Sequence, residues 1–154
     1  MEKDICLIGS GPEEYVNDLN TFLENNKYVW TGWTFKIREA WREKIIDQLK
    51  KKGLIPLYIY YSKIKGGEGL VEYILWSDYI IFTNEPISSP DLEYTTDAEK
   101  EYPTEADPTH TWFRIVKIVK LTPPRKLSEF KDVSTGNSIT PSQLRRSFGY
   151  AYEK

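Results

Sequence analysis

Residues that commonly carry out catalysis or bind metals are scarce in this chain. His110 is the only histidine and Cys6 the only cysteine. A Ser-His-Asp or Cys-His centre would have to use this histidine, yet no nucleophile motif such as G-x-S-x-G accompanies it. One histidine and one cysteine also exclude the common zinc sites. The sequence therefore predicts no catalytic residue, no bound metal and a protein that is not an enzyme.

A short glycine motif, Gly9-Ser10-Gly11, lies between a predicted strand and a predicted helix. Its position matches that of a dinucleotide-binding loop. The third glycine of the G-x-G-x-x-G pattern would fall at Glu14, whose carboxylate would repel a pyrophosphate. No P-loop is present either, so we expect no cofactor.

Acidic residues are concentrated between positions 84 and 108. Eight acids against one base, Lys100, give this stretch a charge of −7, which leaves +5 for the rest of a chain whose net charge is −2. The acids lack the spacing of an EF-hand, so a solvated acidic loop is favoured over a Ca²⁺ site or a carboxylate pair in a hydrolase. The eight acids are Glu85, Asp91, Glu93, Asp97, Glu99, Glu101, Glu105 and Asp107.

Hydrophobic periodicity predicts two helices and six strands. Apolar positions spaced by three and four form the helices: the first follows Ser10 and Glu13, which have capping-box spacing, and the second ends at Gly53, where a C-cap would fall. Runs rich in aromatic and β-branched residues predict the strands. The strands are expected at 5–8, 28–35, 54–62, 70–82 with a bulge near Trp76-Ser77-Asp78, 112–121 ended by Pro123-Pro124, and 148–152.

The order of these elements predicts an α+β domain. Strands outnumber helices, and a tight turn at Lys65-Gly66-Gly67 joins two neighbouring strands. We expect a small curved mixed sheet or open β-barrel flanked by two or three helices, rather than a doubly wound sheet. Residues 83–110 are predicted to form a long loop, which in compact domains is often functional. A chain of 154 residues fits one domain, assigned to 1–154.

The chain carries no predicted membrane segment. No stretch approaches the ~20 apolar residues that a membrane helix needs. The N-terminus is charged and lacks a signal-peptide pattern. A single cysteine cannot form an intrachain disulfide. We therefore expect a cytoplasmic protein with no membrane partner.

Three segments occur in an order and spacing that resemble one superfamily. The first is Tyr28-Val29-Trp30-Thr31, followed by a helix that contains Ile37, Ala40 and Trp41. The second is the run 56–62 (PLYIYYS), followed by Gly67 and the run 69–72. The third is the run 112–119, followed by Pro124, Leu127 and Lys131. Together, over roughly 4–152, they resemble the YTH and EVE branches of the PUA-like superfamily.

This resemblance implies a domain that holds a flipped-out, modified base in a pocket of aromatic rings. Stacking contributes ~1–3 kcal/mol per base, against a few kcal/mol to extrude the base. Trp30 matches the first cage tryptophan of the YTH pattern, so we expect it in a concave pocket. Residues 83–110 lack the second cage tryptophan and offer tyrosines instead. The implied base-binding residues are Trp30, Thr31, Trp33, Ser62, Tyr94 and Tyr102, and the implied phosphate-binding residues are Lys63, Lys65, Arg145 and Arg146.

The resemblance also implies a biological setting. Domains of this kind occur at the N-terminus of McrB-type modification-dependent restriction proteins, ahead of a GTP-driven motor. Methylated DNA is therefore the favoured partner, with N6-methyladenine, 5-methylcytosine and other modifications left open. The alternatives are an RNA-binding PUA-like module without modification specificity and an interaction domain that binds no nucleic acid.

Overall fold

The computed structural model describes residues 4–61, 69–145 and 147–152. Two α-helices and six strands make up its regular structure, with four short 3₁₀ turns between them. In chain order they are β1 (Ile5–Ser10), α1 (Glu13–Leu23), β2 (Val29–Trp33), α2 (Glu39–Lys52), β3 (Ile55–Tyr61), β4 (Leu70–Phe82), the turns Leu92–Tyr94 and Asp97–Glu99, β5 (Thr111–Lys126), the turns Leu127–Glu129 and Gln143–Arg145, and β6 (Gly149–Tyr152).

The strands form one open, mixed sheet in the order β2-β5-β4-β3-β1-β6. β1 and β3 are parallel, as their connection through β2 and α2 allows, and the other neighbours are antiparallel. The predicted α+β class with a mixed sheet and flanking helices is confirmed. Within the described ranges, neither helix is long and apolar enough to cross a membrane.

The sheet is strongly curved. In a flat six-stranded sheet the outer strands would lie roughly 24 Å apart, five spacings of ~4.8 Å. Here Phe148, next to β6 at one edge, packs on Trp33 of β2 at the other, with ring centroids 5.8 Å apart. The beginning of α2 lies beside the same edge, where the Arg38 N–H donates to the Tyr150 hydroxyl at 2.9 Å and Trp41 stacks on that ring. The curved inner face therefore encloses a core.

Buried residues lie on both faces of the sheet. The inner face packs against α1 and α2 through buried residues such as Leu19 and Ile45. The outer face of β1, β3, β6 and the first part of β4 is covered by the segment that follows β5, which inserts Phe130, Ile139 and Leu144. The near-continuous apolar sequence of β3 follows from this arrangement, because a strand buried on both faces has no polar side.

The sequence correctly predicts several local features of the fold. The ladder between β4 and β5 shifts register on both sides of Ser77, as the predicted bulge requires. Gly53 has a φ of 80°, and its N–H donates to the Leu49 carbonyl at 2.8 Å, as expected for a C-cap. The predicted tight turn Lys65-Gly66-Gly67 lies outside the described residues.

Two predicted element ends are wrong. Pro123-Pro124 does not end β5, which continues to Lys126. The ladder jumps from Val71↔Arg125 to Tyr73↔Lys120, so the prolines fall in an interruption where no N–H is required of them. Ser10 does not cap α1, because it is the last residue of β1; Pro12 holds the N-cap position without a side-chain hydrogen bond.

Phe148 joins the two edges of the sheet, so its removal is expected to be costly. Its ring is 1% exposed and contacts Trp33, Phe35 and Phe113. We expect Phe148→Ala to lower the free energy of unfolding by ~3–5 kcal/mol, measured by denaturant titration. Tyr152→Ala, at a ring that is 40% exposed, is the control. Equal effects of the two substitutions would contradict this account of the closure.

Candidate functional site

The expectation that Trp30 lines an open pocket is wrong. Its side chain is only 5% exposed. Tyr79 packs edge-on against the indole at 6.1 Å, and the Arg114 guanidinium lies 5.9 Å from its centre. Asp78 holds that guanidinium through two hydrogen bonds of 2.8 and 3.1 Å. The faces of the Trp30 ring are therefore already occupied by protein groups.

Tyr94 lies near Trp30, because both are connected to Arg114: Trp30 directly and Tyr94 through Tyr28. Its ring packs on Tyr28, with centroids 4.4 Å apart, and Tyr28 in turn lies under Arg114. The next residue, Thr95, forms an isolated parallel bridge with Trp30 at the edge of β2. These contacts attach segment 83–110 to the sheet.

Thr31 and Trp33 point to the opposite face of β2, because successive side chains of a strand alternate. There the Thr31 hydroxyl lies 2.6 Å from the Tyr15 hydroxyl of α1 and donates to the Glu99 carboxyl, at 3.0 and 3.1 Å from its two oxygens. The Tyr15 ring meets Trp33 edge-on, with centroids 5.8 Å apart. The Tyr102 N–H donates to the Glu99 carbonyl at 3.1 Å. Thr31 and Trp33 therefore lie at one site, and Tyr102 adjoins it, because the Glu99 charge contributes to its raised pKa.

We refer to this site as the Glu99 cluster. It combines three buried polar residues, which we call its floor, with three half-buried aromatic residues. The floor consists of Thr31, Thr96 and Glu99, and the rings are Tyr15, Trp33 and Tyr102.

Local backbone geometry places the parts of the cluster. β2 is an edge strand, so the Gly32 N–H has no strand partner on its outer side, and it donates to Glu99 Oε1 at 2.8 Å. This hydrogen bond brings the turn Asp97–Glu99 against β2. Across the curved sheet, a Cβ on Gly9 of β1 would lie 2.7 Å from the Trp33 ring. Glycine at position 9 therefore lets the indole lie directly on the β1 backbone.

Burial dominates the electrostatics of the cluster. It raises the pKa of Glu99 to about 7, although hydrogen bonds from Gly32 and Thr31 favour the ionised form. Burial and the nearby Glu99 charge raise the pKa of Tyr15 well above its usual value. The pKa of Tyr102 is also raised, first by burial and then by Asp107 and Glu99. Near neutral pH, Glu99 can therefore exist in either protonation state.

Two buried polar atoms of the cluster have no hydrogen-bond partner among the described residues, namely Trp33 Nε1 and Thr96 Oγ1. The Trp33 indole N–H lies close enough to Tyr15 to lower its pKa, and the Thr96 hydroxyl lies close enough to Glu99 to lower its pKa. Neither contact has the geometry of a hydrogen bond. Buried groups of this kind are usually satisfied by a polar partner. The cluster thus offers donors and a carboxyl group beside flat aromatic surfaces.

The predicted phosphate-binding residues are only partly described. Lys63, Lys65 and Arg146 lie outside the described residues, as does Ser62. Arg145 is exposed on the turn Gln143–Arg145, whose Leu144 packs into the outer-face core.

Neither the histidine nor the acids assemble a metal site in the described part of the chain. His110 Nδ1 lies 2.9 Å from the Thr34 carbonyl oxygen, where it donates in the tautomer protonated at that nitrogen. Its role here is to tie the start of β5 to the end of β2. Most acids of segment 83–110 are exposed or half-buried, as the solvated-loop interpretation expects, and Glu99 is the exception.

Sequence reasoning missed Tyr15 and Glu99 as site residues. In the sequence, Tyr15 falls on the apolar face of the first predicted helix, and Glu99 is one of eight acids with no distinguishing neighbour. The unusual length of loop 83–110 was the one indication that it contributes to a site.

No model of a known protein family and no curated protein sequence matches this chain.

The raised pKa of Glu99 makes stability depend on pH. Between pH 4.5 and about 7 the unfolded carboxyl group is ionised and the folded one is protonated, so stability falls as the pH rises. A shift of this size corresponds to about 3 kcal/mol. We expect Glu99→Gln to remove this decline, measured as the free energy of unfolding at pH 4.5 and pH 8. The exposed neighbour Glu101→Gln should decline with pH as the unaltered chain does, and an undiminished decline in Glu99→Gln would contradict the assignment.

Proposed function

We propose that this chain is a nucleic-acid-binding module that captures a single, methylated base in the Glu99 cluster. The observation that carries the proposal is the buried Glu99 carboxyl group, which lies beside half-buried aromatic residues and two buried polar atoms without a hydrogen-bond partner among the described residues. Tyr102 supplies a flat surface on which a base stacks, and Tyr15 and Trp33 border it. Glu99 and the unpartnered Trp33 N–H supply an acceptor and a donor for its edge.

The chemistry of the floor suits a base that carries an amino group. A carboxylate accepts hydrogen bonds from the exocyclic amine of cytosine. Because the pKa of Glu99 is raised to about 7, its protonated form can also donate to a ring nitrogen near neutral pH. A methyl group on the base would lie against the aromatic rings and be removed from water. Stacking of ~1–3 kcal/mol per base, together with these hydrogen bonds, offsets the few kcal/mol required to flip the base.

The proposal retains the PUA-like assignment and its setting. The open, curved mixed sheet with two helices is compatible with the fold of that superfamily. The three YTH- and EVE-like segments support the same assignment, although the base-binding tryptophan becomes Trp33 instead of Trp30. On this proposal the chain is a cytoplasmic DNA-recognition domain of an McrB-like restriction system, not an enzyme, and a GTP-driven motor belongs to the same protein.

Fluorescence polarisation with short labelled strands tests this function. DNA and RNA strands, each unmodified or carrying N6-methyladenine or 5-methylcytosine, are compared at low and moderate salt. We expect tightest binding to a methylated DNA strand, and a loss of about 5- to 150-fold in Tyr102→Ala, equivalent to one stacking contact. Tyr152→Ala, at an exposed ring outside the cluster, is the matched control.

Each other outcome has a defined meaning. Salt-dependent binding to RNA without a preference for modification would replace this function with that of a general RNA-binding module. Binding that Tyr102→Ala and Glu99→Gln leave unchanged would place the ligand elsewhere on the protein. The absence of binding to every strand by the folded chain would overturn the proposal.

A further inference from the structure

A second surface lies at the edge of the sheet beside α2. β3 pairs with β4 only as far as the contact Ile55↔Ser77, while β4 continues to Phe82. The last five residues of β4, 78–82, pair with β5 on one side only. At ~3.3 Å per residue this unpaired edge is about 16 Å long. We refer to it as the β4 edge.

The alternation of a strand shows which backbone groups the β4 edge presents. The Thr83 N–H donates to the His110 carbonyl, on the β5 side. The N–H and C=O groups of residues two apart point the same way, so those of Ile81 and Tyr79 also face β5. The backbone groups of Ile80 and Phe82 therefore face outward. Among the described residues, no hydrogen bond connects them to α2.

The β4 edge forms one wall of an apolar groove, and α2 forms the other. The groove has a volume of about 520 Å³, within the ~300–1,000 Å³ typical of ligand-binding clefts. On α2 it is lined by Ile46, Leu49 and Lys50, which are spaced by three and four and so share one helix face. Ile46 is 38% exposed and Tyr79 51% exposed, so apolar surface is accessible at both walls.

Two charged residues line the groove, and only one is compensated. Asp78 is held by Arg114 in a two-hydrogen-bond ion pair. For Lys50, no ion pair is present within the described residues. The groove therefore combines an unpaired strand edge, apolar walls and one available positive charge.

We propose that this groove binds an extended segment of a partner protein, which adds a strand to the β4 edge and carries an acidic residue opposite Lys50. Strand addition satisfies the outward backbone groups of Ile80 and Phe82, as in other proteins that bind peptides at a sheet edge. Alternate side chains of the segment enter the apolar groove against Ile46, and the others face solvent. The Glu99 cluster does not contribute to this groove, so the inference is independent of base binding.

A display library of random dodecapeptides, panned against the folded chain, tests the proposal. We expect enriched peptides to alternate apolar and polar residues and to contain an acidic residue. Ile46→Glu should weaken their binding by about tenfold or more, because it removes apolar contact and places a carboxylate near Lys50. Leu54→Glu is the matched control, since Leu54 is also 38% exposed but does not line the groove. Lys50→Glu should weaken binding by up to about fivefold.

The backbone contact is tested on the peptide itself. N-methylation of a peptide residue that donates to the Ile80 or Phe82 carbonyl should weaken binding by about two- to tenfold, the equivalent of one hydrogen bond. N-methylation of the alternate residues should have no effect. On binding, the amide NMR signals of Ile80 and Phe82 should shift more than that of Tyr152.

Three results would overturn the proposal. The first is a failure of the library to yield any peptide that binds the folded chain. The second is binding that Ile46→Glu and Leu54→Glu affect equally. The third is self-association of the chain that Ile46→Glu abolishes, which would show that a second copy occupies the groove.

Discussion

The unpaired outer side of β2 is the constraint from which the rest of the site follows. An edge strand presents backbone groups that need partners, and segment 83–110 supplies them along the whole of β2. Thr95 bridges to Trp30, and two residues further along β2 the Glu99 carboxyl accepts the Gly32 N–H. One protein segment thus bridges the edge at Trp30 and delivers a carboxyl group to the Gly32 N–H.

This use of Glu99 has an energetic cost. A backbone N–H could be satisfied by water or by a carbonyl, whereas a buried carboxyl group has to remain protonated or lose its hydration. Its raised pKa records that cost, and the hydrogen bonds from Thr31 and Gly32 recover only part of it. Such groups often mark functional sites, because a purely structural partner need not be ionisable. The Trp33 indole N–H is a second buried polar group of the cluster, and it has no hydrogen-bond partner among the described residues. A ligand could supply that partner.

Some features set by neighbours in sequence could be predicted, although the Ser10 cap and the end of β5 at Pro123-Pro124 could not, and features set by long-range packing could not. The bulge at Ser77 and the C-cap at Gly53 depend on local spacing and on one glycine, and both were predicted. The period of two in β2 places Trp30 and Thr31 on opposite faces, but it does not say which face stays open. That choice depends on Arg114 and Tyr79, which register brings next to Trp30 from strands more than 45 residues away in sequence. Glu99 is indistinguishable from its acidic neighbours until the loop packs against β2.

The remaining edges of the sheet differ in how they are covered. β6 is bridged at Ala151 by Asp132, so the segment after β5 covers that edge in part. Residues 78–82 of β4 have neither a strand nor a bridge on their free side among the described residues, although α2 runs beside them. An accessible edge of this length invites unwanted strand pairing, and proteins usually block it with a charge, a proline or a bulge. Lys50, for which no ion pair is present within the described residues, stands on the wall opposite the strand. A positive charge in this position favours an acidic segment and does not block the strand edge. The geometry therefore suits the docking of a specific peptide better than protection against unwanted strand pairing.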